Sequence, residues 1–125
     1  MLRDLDLSKY THVYIAPRYT DLRAGIPGLS AIVQHQFNLD VFDESSIFLF
    51  CGKRRDRMKA LCYDSCGFTL LYFRLNPGSG RFQWPMNAED VMSMTPEQYK
   101  RLIHGFSIDP SIFVSRINRK KETVK

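Results

Sequence analysis

The sequence predicts an α+β domain: a twisted antiparallel β-meander packed on one face by one or two α-helices. Three observations carry this reading. Between residues 46 and 84, apolar-rich segments follow one another with short breaks, and strands joined by such turns run antiparallel. Ile26, Leu29, Ile32, Val33 and Phe37 fall at helical spacing before the meander, as do Tyr99, Leu102, Ile103 and Phe106 after it. The chain has 125 residues, 44% hydrophobic and 13% aromatic. A chain of that length buries roughly two-thirds of its unfolded surface, so its core needs neither disulfide nor metal.

Taken in order, Thr11 to Ala16 alternates polar and apolar residues and predicts a strand, ended by Pro17. Thr20 and Asp21 offer capping oxygens ahead of a helix over about 26–37. Pro27 suits its first turn, Gly25 and Gly28 make 21–25 a short lead-in turn, and Asn38 is its stop. The meander strands are Ser46–Cys51, Arg57–Tyr63, Phe68–Leu75 and Arg81–Trp84. Gly52 and the basic run form the first turn, Asp64-Ser65-Cys66-Gly67 the second, and Asn76-Pro77-Gly78-Ser79-Gly80 a strong break. Along the second strand Met58, Ala60 and Cys62 share one face, and Lys59, Leu61 and Tyr63 the other. The expected core is Phe48, Phe50, Leu61, Phe68, Leu70 and Leu71, with Ile32 and Val33 packed over it. Phe82 and Trp84, two apart, are expected to close the sheet edge. Val91 to Met94 predicts a short strand, and Thr95-Pro96-Glu97-Gln98 opens a helix with a capping box, ended at Gly105. Ile108, Ile112 and Val114 suggest a last short strand, so the domain is placed at 1–115, with a mobile basic tail at 116–125.

Most catalytic and cofactor classes lack their residues. Cys51, Cys62 and Cys66 form no Cys-x-x-Cys, and His12, His35 and His104 lie far apart, so no metal is expected and the thiols are read as reduced. No Gly-x-Gly-x-x-Gly, phosphate loop or Gly-x-Ser-x-Gly elbow is present, and Gly78-Ser79-Gly80 fits a turn. His104, late in a helix, suits a dipole partner. Asp21, Asp56 and Asp64 are the candidates for a metal-dependent nuclease, but each has a simpler role as cap, ion-pair partner or turn opener. The expectation is no catalytic residue, no cofactor and no enzyme activity. No apolar run nears the ~18 residues of a membrane span, and Met1 to Asp6 mixes acids and bases like no secretory signal. A cytoplasmic protein without membrane contact is expected.

The net charge of +5 is unevenly placed: residues 53–59 carry +4 and residues 116–125 another +4, leaving −3 for the remainder. Two basic patches on a mildly acidic body suit a polyanion. Lys53, Arg54, Arg55, Arg57 and Lys59 on a hairpin, with Arg74 and the aromatics Tyr63, Phe68 and Tyr72 nearby, form a candidate DNA-binding fork. The same pattern fits a solvated hairpin tip above an ordinary aromatic core. Asp56 is expected to pair with Arg54 or Arg55. The tail bases Arg116, Arg119, Lys120 and Lys121 must be ordered on binding and are expected to matter less than the hairpin. Thr20, Asp21, Arg23, Gly25 and Gly28 form a candidate partner-docking surface, with a plain capped helix start as the alternative.

Four motifs in order add a resemblance. Thr20-Asp21-Leu22-Arg23-Ala24-Gly25-Ile26-Pro27-Gly28-Leu29 resembles T-D-M/L-R-x-G-x-x-G-L, and Arg54-Arg55-Asp56-Arg57-Met58-Lys59-Ala60-Leu61 resembles R-R-D-R-x-K-x-L. Asp64-Ser65-Cys66-Gly67-Phe68 with Leu71 resembles D-x-x-G-F-x-L, and Arg74-Leu75 with Gly80-Arg81-Phe82-Gln83-Trp84-Pro85 resembles R-L-x-x-G-x-F-x-W-P. Over about residues 13–105 the chain is similar to the TnpB accessory proteins, the second reading frame, of the IS sixty-six family of insertion sequences. It departs in a longer loop at 76–79 and in Cys62-Tyr63, where the family often has an aromatic pair or Trp. The resemblance implies an accessory role in DNA transposition in a bacterial cytoplasm, with a separate transposase carrying the catalytic acids. Its implied partners are the DNA of the insertion-sequence ends and the transposase. The alternative is an adaptor that docks on the transposase without binding DNA.

Overall fold

The computed structural model of the chain describes residues 9–78 and 80–103. The strand expected at 108–114, the helix stop at Gly105 and the tail at 116–125 lie outside them. The described residues form an α+β fold around a five-stranded sheet. Its strands are β1 (His12–Ile15), β2 (Ser46–Cys51), β3 (Arg57–Asp64), β4 (Gly67–Arg74) and β5 (Met92–Met94), in the order β4-β3-β2-β1-β5. The expected meander is present as β2-β3-β4, paired antiparallel with Phe48 opposite Leu61 and Leu61 opposite Leu70. β1 joins β2 in parallel, Tyr14 opposite Phe48, and β5 is antiparallel to β1, so the sheet is mixed. Short turns dictate direction only for β2 to β4. The β1–β2 connection is long enough to carry a helix and return parallel.

That connection opens with a 3-10 turn, Leu22–Ala24, capped by Asp21, and passes at Gly25 (φ 65°) into the helix α1 (Gly25–Ala31). A widened turn at Ile32–Gln36 continues α1, with the Phe37 N–H donating to the Ile32 carbonyl at 3.1 Å. Asn38, at φ 57°, makes the left-handed stop, and Leu39 N–H reaches back to the Val33 carbonyl. Gly28 has no room for a side chain: a Cβ there would stand 2.5 Å from the Ala24 Cβ.

α1 and its continuation lay Leu29, Val33 and Phe37 on one sheet face, against Tyr14, Phe48, Phe50 and Leu61. Phe68, Leu70 and Ile32 are partly buried at the margin of this cluster. The opposite face carries Val13, Ile15, Ile47, Leu49, Met58 and Ala60, and is closed by Phe82, Trp84 and Tyr99. Tyr99 belongs to α2 (Pro96–Ile103), which opens with the expected capping box: Gln98 N–H donates to Thr95 Oγ1 and Thr95 N–H to Gln98 Oε1. Phe82 and Trp84 do not belong to a strand. Their segment crosses a sheet face without joining the ladder, held by Phe82 N–H on the Arg55 carbonyl and Arg18 N–H on the Pro85 carbonyl. Alternation there reports one-sided burial, which an irregular segment laid on a sheet also shows. With both faces covered, all six residues of β2 are buried.

Candidate nucleic-acid interface

On the α1 side of the sheet, β3 presents Leu61, Lys59 and Arg57 in turn, and β4 sets Leu70, Tyr72 and Arg74 opposite them. Leu61 is fully buried beneath α1. One step further the apolar cover stops: Lys59 is half-buried and Tyr72 is half-exposed. Period-two geometry therefore converts one strand face from core to cationic surface within two residues.

The 19–23 segment forms a second wall beside this surface. Ala16 N–H donates to the Leu49 carbonyl at 2.9 Å and Thr20 N–H to the Cys51 carbonyl at 2.8 Å, so parallel pairing carries the chain from β1 to the start of the β2–β3 hairpin. The hairpin closes through Gly52 N–H on the Arg57 carbonyl and Arg55 N–H on the Gly52 carbonyl, both 3.0 Å, with Arg55 left-handed at φ 60°. Gly52 lies between the walls, where a Cβ would stand 3.2 Å from Arg57 Cγ and 3.4 Å from Leu22 Cδ1. Lys59 Nζ ties the walls together by donating to the Leu22 carbonyl at 2.7 Å.

Between the walls runs an open groove of about 1140 Å³, lined by Tyr19, Thr20, Asp21, Leu22, Arg23, Gly52, Lys53, Arg54, Arg57, Lys59, Leu70 and Tyr72. Five lining residues are basic and one, Asp21, is acidic. Asp21 is already engaged: Arg23 Nε donates to Oδ1 at 3.0 Å, Nη2 to Oδ2 at 2.8 Å, and Arg23 N–H to Oδ1 at 3.1 Å. These bonds from the Arg23 side chain and backbone lower the Asp21 carboxyl to about 2. Arg57 Nε pairs with Asp56 Oδ1 at 3.3 Å, so Asp56 turns to Arg57 rather than to Arg54 or Arg55. Lys53 and Arg54 are exposed and enter no ion pair among the described residues. The groove keeps a cationic excess at its hairpin end.

The structure brings together two residue sets that the sequence separates by some thirty positions. Lys53, Arg54, Arg57 and Lys59 line the groove with Thr20, Asp21 and Arg23. Arg55 and Arg74 do not line it: Arg55 is held in the hairpin loop and Arg74 lies exposed opposite Arg57. Gly25 and Gly28 also stand off the lining, one making the left-handed entry to α1 and the other its close pass by Ala24. Tyr19 escaped sequence reasoning because a lone Tyr beside a Pro-Arg carries no pattern. The parallel β1–β2 ladder that carries it there is a long-range feature.

The remaining chemistry-bearing residues disperse. Asp56 precedes β3 and Asp64 ends it, at opposite ends of one strand, while Asp21 faces Arg23. No group of three His, Cys, Asp or Glu among the described residues is placed to hold a metal ion. Trp84 is buried, and its Nε1 donates to the Ala16 carbonyl at 2.6 Å. Cys51 is buried, and its burial pushes the thiol up to about 12. No helix among the described residues is long and apolar enough to cross a membrane.

Comparison with known proteins places these residues in a wider set. The family model described as IS66 Orf2 like protein matches residues 11–112. The uncharacterized protein y4hO of Sinorhizobium fredii is 33% identical over 93 residues, covering 74% of this chain and 78% of its own length. A second uncharacterized protein of that bacterium, y4jC, is 31% identical over 98 residues, covering 78% of this chain and 81% of its own. No solved structure matches the chain.

Proposed function

Since the chain belongs to the IS66 Orf2-like family of insertion-sequence accessory proteins, we propose that it serves transposition by binding DNA in the groove between the 19–23 segment and the β2–β3 hairpin. A separate transposase performs the strand chemistry, and this chain contributes no catalytic group. The observation that carries the reading is the convergence of two motifs on one groove, four cations from the hairpin and Arg23 from the other wall, with Asp21, the one carboxylate among the described lining residues, already paired to Arg23. Rigid strands hold Arg57 and Lys59 in place, so little ordering entropy is lost when a phosphate arrives. The planar Arg54 and Arg57 guanidiniums suit paired contacts to phosphate oxygens, and the lysines act as point charges.

Fluorescence anisotropy against salt tests it. Neutralising about five phosphates gives a log–log slope near −4 to −5 on duplex DNA. The double variant Lys53→Ala/Arg54→Ala should flatten that slope by about 2 and leave the thermal melt in place, both side chains being exposed. Absence of binding to any DNA at low salt would refute the reading and return the 19–23 segment to the role of a protein-docking surface.

A further inference from the structure

We infer that the groove is built for an unpaired DNA strand, with Tyr19 and Tyr72 as the platforms on which its bases stack. The inference rests on the DNA-binding reading above and names the form of DNA. Among the described residues three large apolar side chains stand strongly exposed, Tyr19 at 53%, Phe42 at 50% and Tyr72 at 50%. Two of the three line the groove, one on each wall. Phe42 lies elsewhere and already has neighbours, with ring centroids 5.2 Å from Tyr63 and 5.6 Å from Phe68. Tyr19 and Tyr72 have cations instead: Lys53 Nζ lies 5.8 Å from the Tyr19 centroid and Lys59 Nζ 5.9 Å from that of Tyr72.

The pairing of ring and cation is what an unpaired strand requires. Each nucleotide then offers a base face for the ring and, a few ångströms away, a phosphate for the ammonium. A duplex hides its base faces in the stack and presents only phosphates and groove edges, which a tyrosine can meet through its hydroxyl but not through its ring face. Tyr72 sits on β4, an edge strand of the sheet, and among the described residues no further strand closes that side. Leu70 supplies apolar groove lining next to it. Trp84, the strongest stacking side chain in the sequence, is buried with its Nε1 bonded and is not available as a platform.

The test uses the full chain and a labelled oligodeoxynucleotide of about 15 nucleotides, a length that covers one small-domain site, offered single-stranded, annealed to its complement, and as RNA of the same sequence. The single strand should bind about tenfold tighter than the duplex at the same salt. Tyr19→Ala/Tyr72→Ala should weaken single-strand binding at least tenfold, the range lost when a stacking aromatic is removed, and leave duplex binding within about twofold. Tyr19→Phe/Tyr72→Phe should retain the single-strand affinity, because the ring and not the hydroxyl does the stacking. Duplex binding as tight as single-strand binding, or no effect of the alanine pair, would overturn the inference while the DNA-binding reading stands. RNA bound tenfold tighter than the DNA strand would overturn DNA as the occupant. Binding of none of the three would overturn both readings together.

Discussion

The two faces of the sheet are closed by different means, and β3 shows the difference residue by residue. Toward one face it points Met58 and Ala60, both fully buried under the segment that carries Phe82 and Trp84. Toward the other it points Leu61 under α1, and then Lys59 and Arg57 into an open groove. Adjacent residues of one strand thus serve a dry core and a cationic surface. A strand can carry this split because its neighbours alternate sides, and because α1 begins only at Gly25, after the 19–23 segment has formed the other wall of the groove. Stability therefore resides mainly in one set of residues and the proposed binding in another, and substitutions should separate them.

The largest expected effect comes from the cores. Phe82→Ala and Phe50→Ala should each cost about 3–5 kcal/mol in a denaturant melt, since both rings are fully buried, one on each face. Equal losses would show that an irregular segment closes its face as firmly as a helix closes the other. A loss below about 1 kcal/mol for Phe82→Ala would mean that the 80–86 segment lifts off the sheet in solution and that the two faces are not alike in stability.

Thiol reactivity tests the closed face without changing the fold. Cys51 points to the closed face and its burial pushes the thiol up to about 12, while Cys66 is exposed in the turn between β3 and β4. The thiolate is the reactive form, so near neutral pH Cys51 should label about a thousandfold or more slower than Cys66. As the pH rises the Cys51 rate should keep climbing to the onset of unfolding, its thiol being largely protonated throughout. Comparable rates for the two would show that water enters the face that Phe82 and Trp84 cover.

The sequence disclosed the local features and missed the long-range ones. Helical spacing from Ile26 to Phe37, the turn chemistry of Asp64-Ser65-Cys66-Gly67 and the capping box at Thr95 are decided within a few residues, and all three stand in the structure: Asp64 Oδ1 accepts from both Cys66 and Gly67 N–H. The parallel β1–β2 pair and the second covered face depend on contacts tens of residues apart. Phe82 and Trp84 mimic a strand by spacing alone. The all-apolar run Ile47 to Cys51 did carry a sign of the second cover, since a strand buried on both sides has no polar alternation. The groove was half visible: its cations stood out as a run, but their convergence with Thr20, Asp21 and Arg23 needed the β1–β2 register.

Arg55 gives the smallest and sharpest test of that division. The basic run invited one role for all five of its bases, yet Arg55 stands apart from the other four. It adopts φ 60°, does not line the groove, and its backbone carries the hairpin, donating to Gly52 and accepting from Phe82 N–H. A left-handed residue with a Cβ costs roughly 1 kcal/mol relative to glycine. Part of that gain is offset, because glycine makes the unfolded chain freer. Arg55→Gly should therefore hold the unfolding free energy or raise it by about a few tenths of a kcal/mol, while the main-chain bonds to Gly52 and Phe82 remain. Anisotropy should show DNA affinity within about twofold of the parent, the distance-weakened loss of one charge at the edge of a site. Arg54→Gly, one residue earlier and facing the groove, should do the reverse: no gain in stability and a clear loss of affinity. A large affinity loss at Arg55 with none at Arg54 would put the binding surface on the Phe82 side of the hairpin, and the open groove between the 19–23 segment and the hairpin would have to be given up as the site.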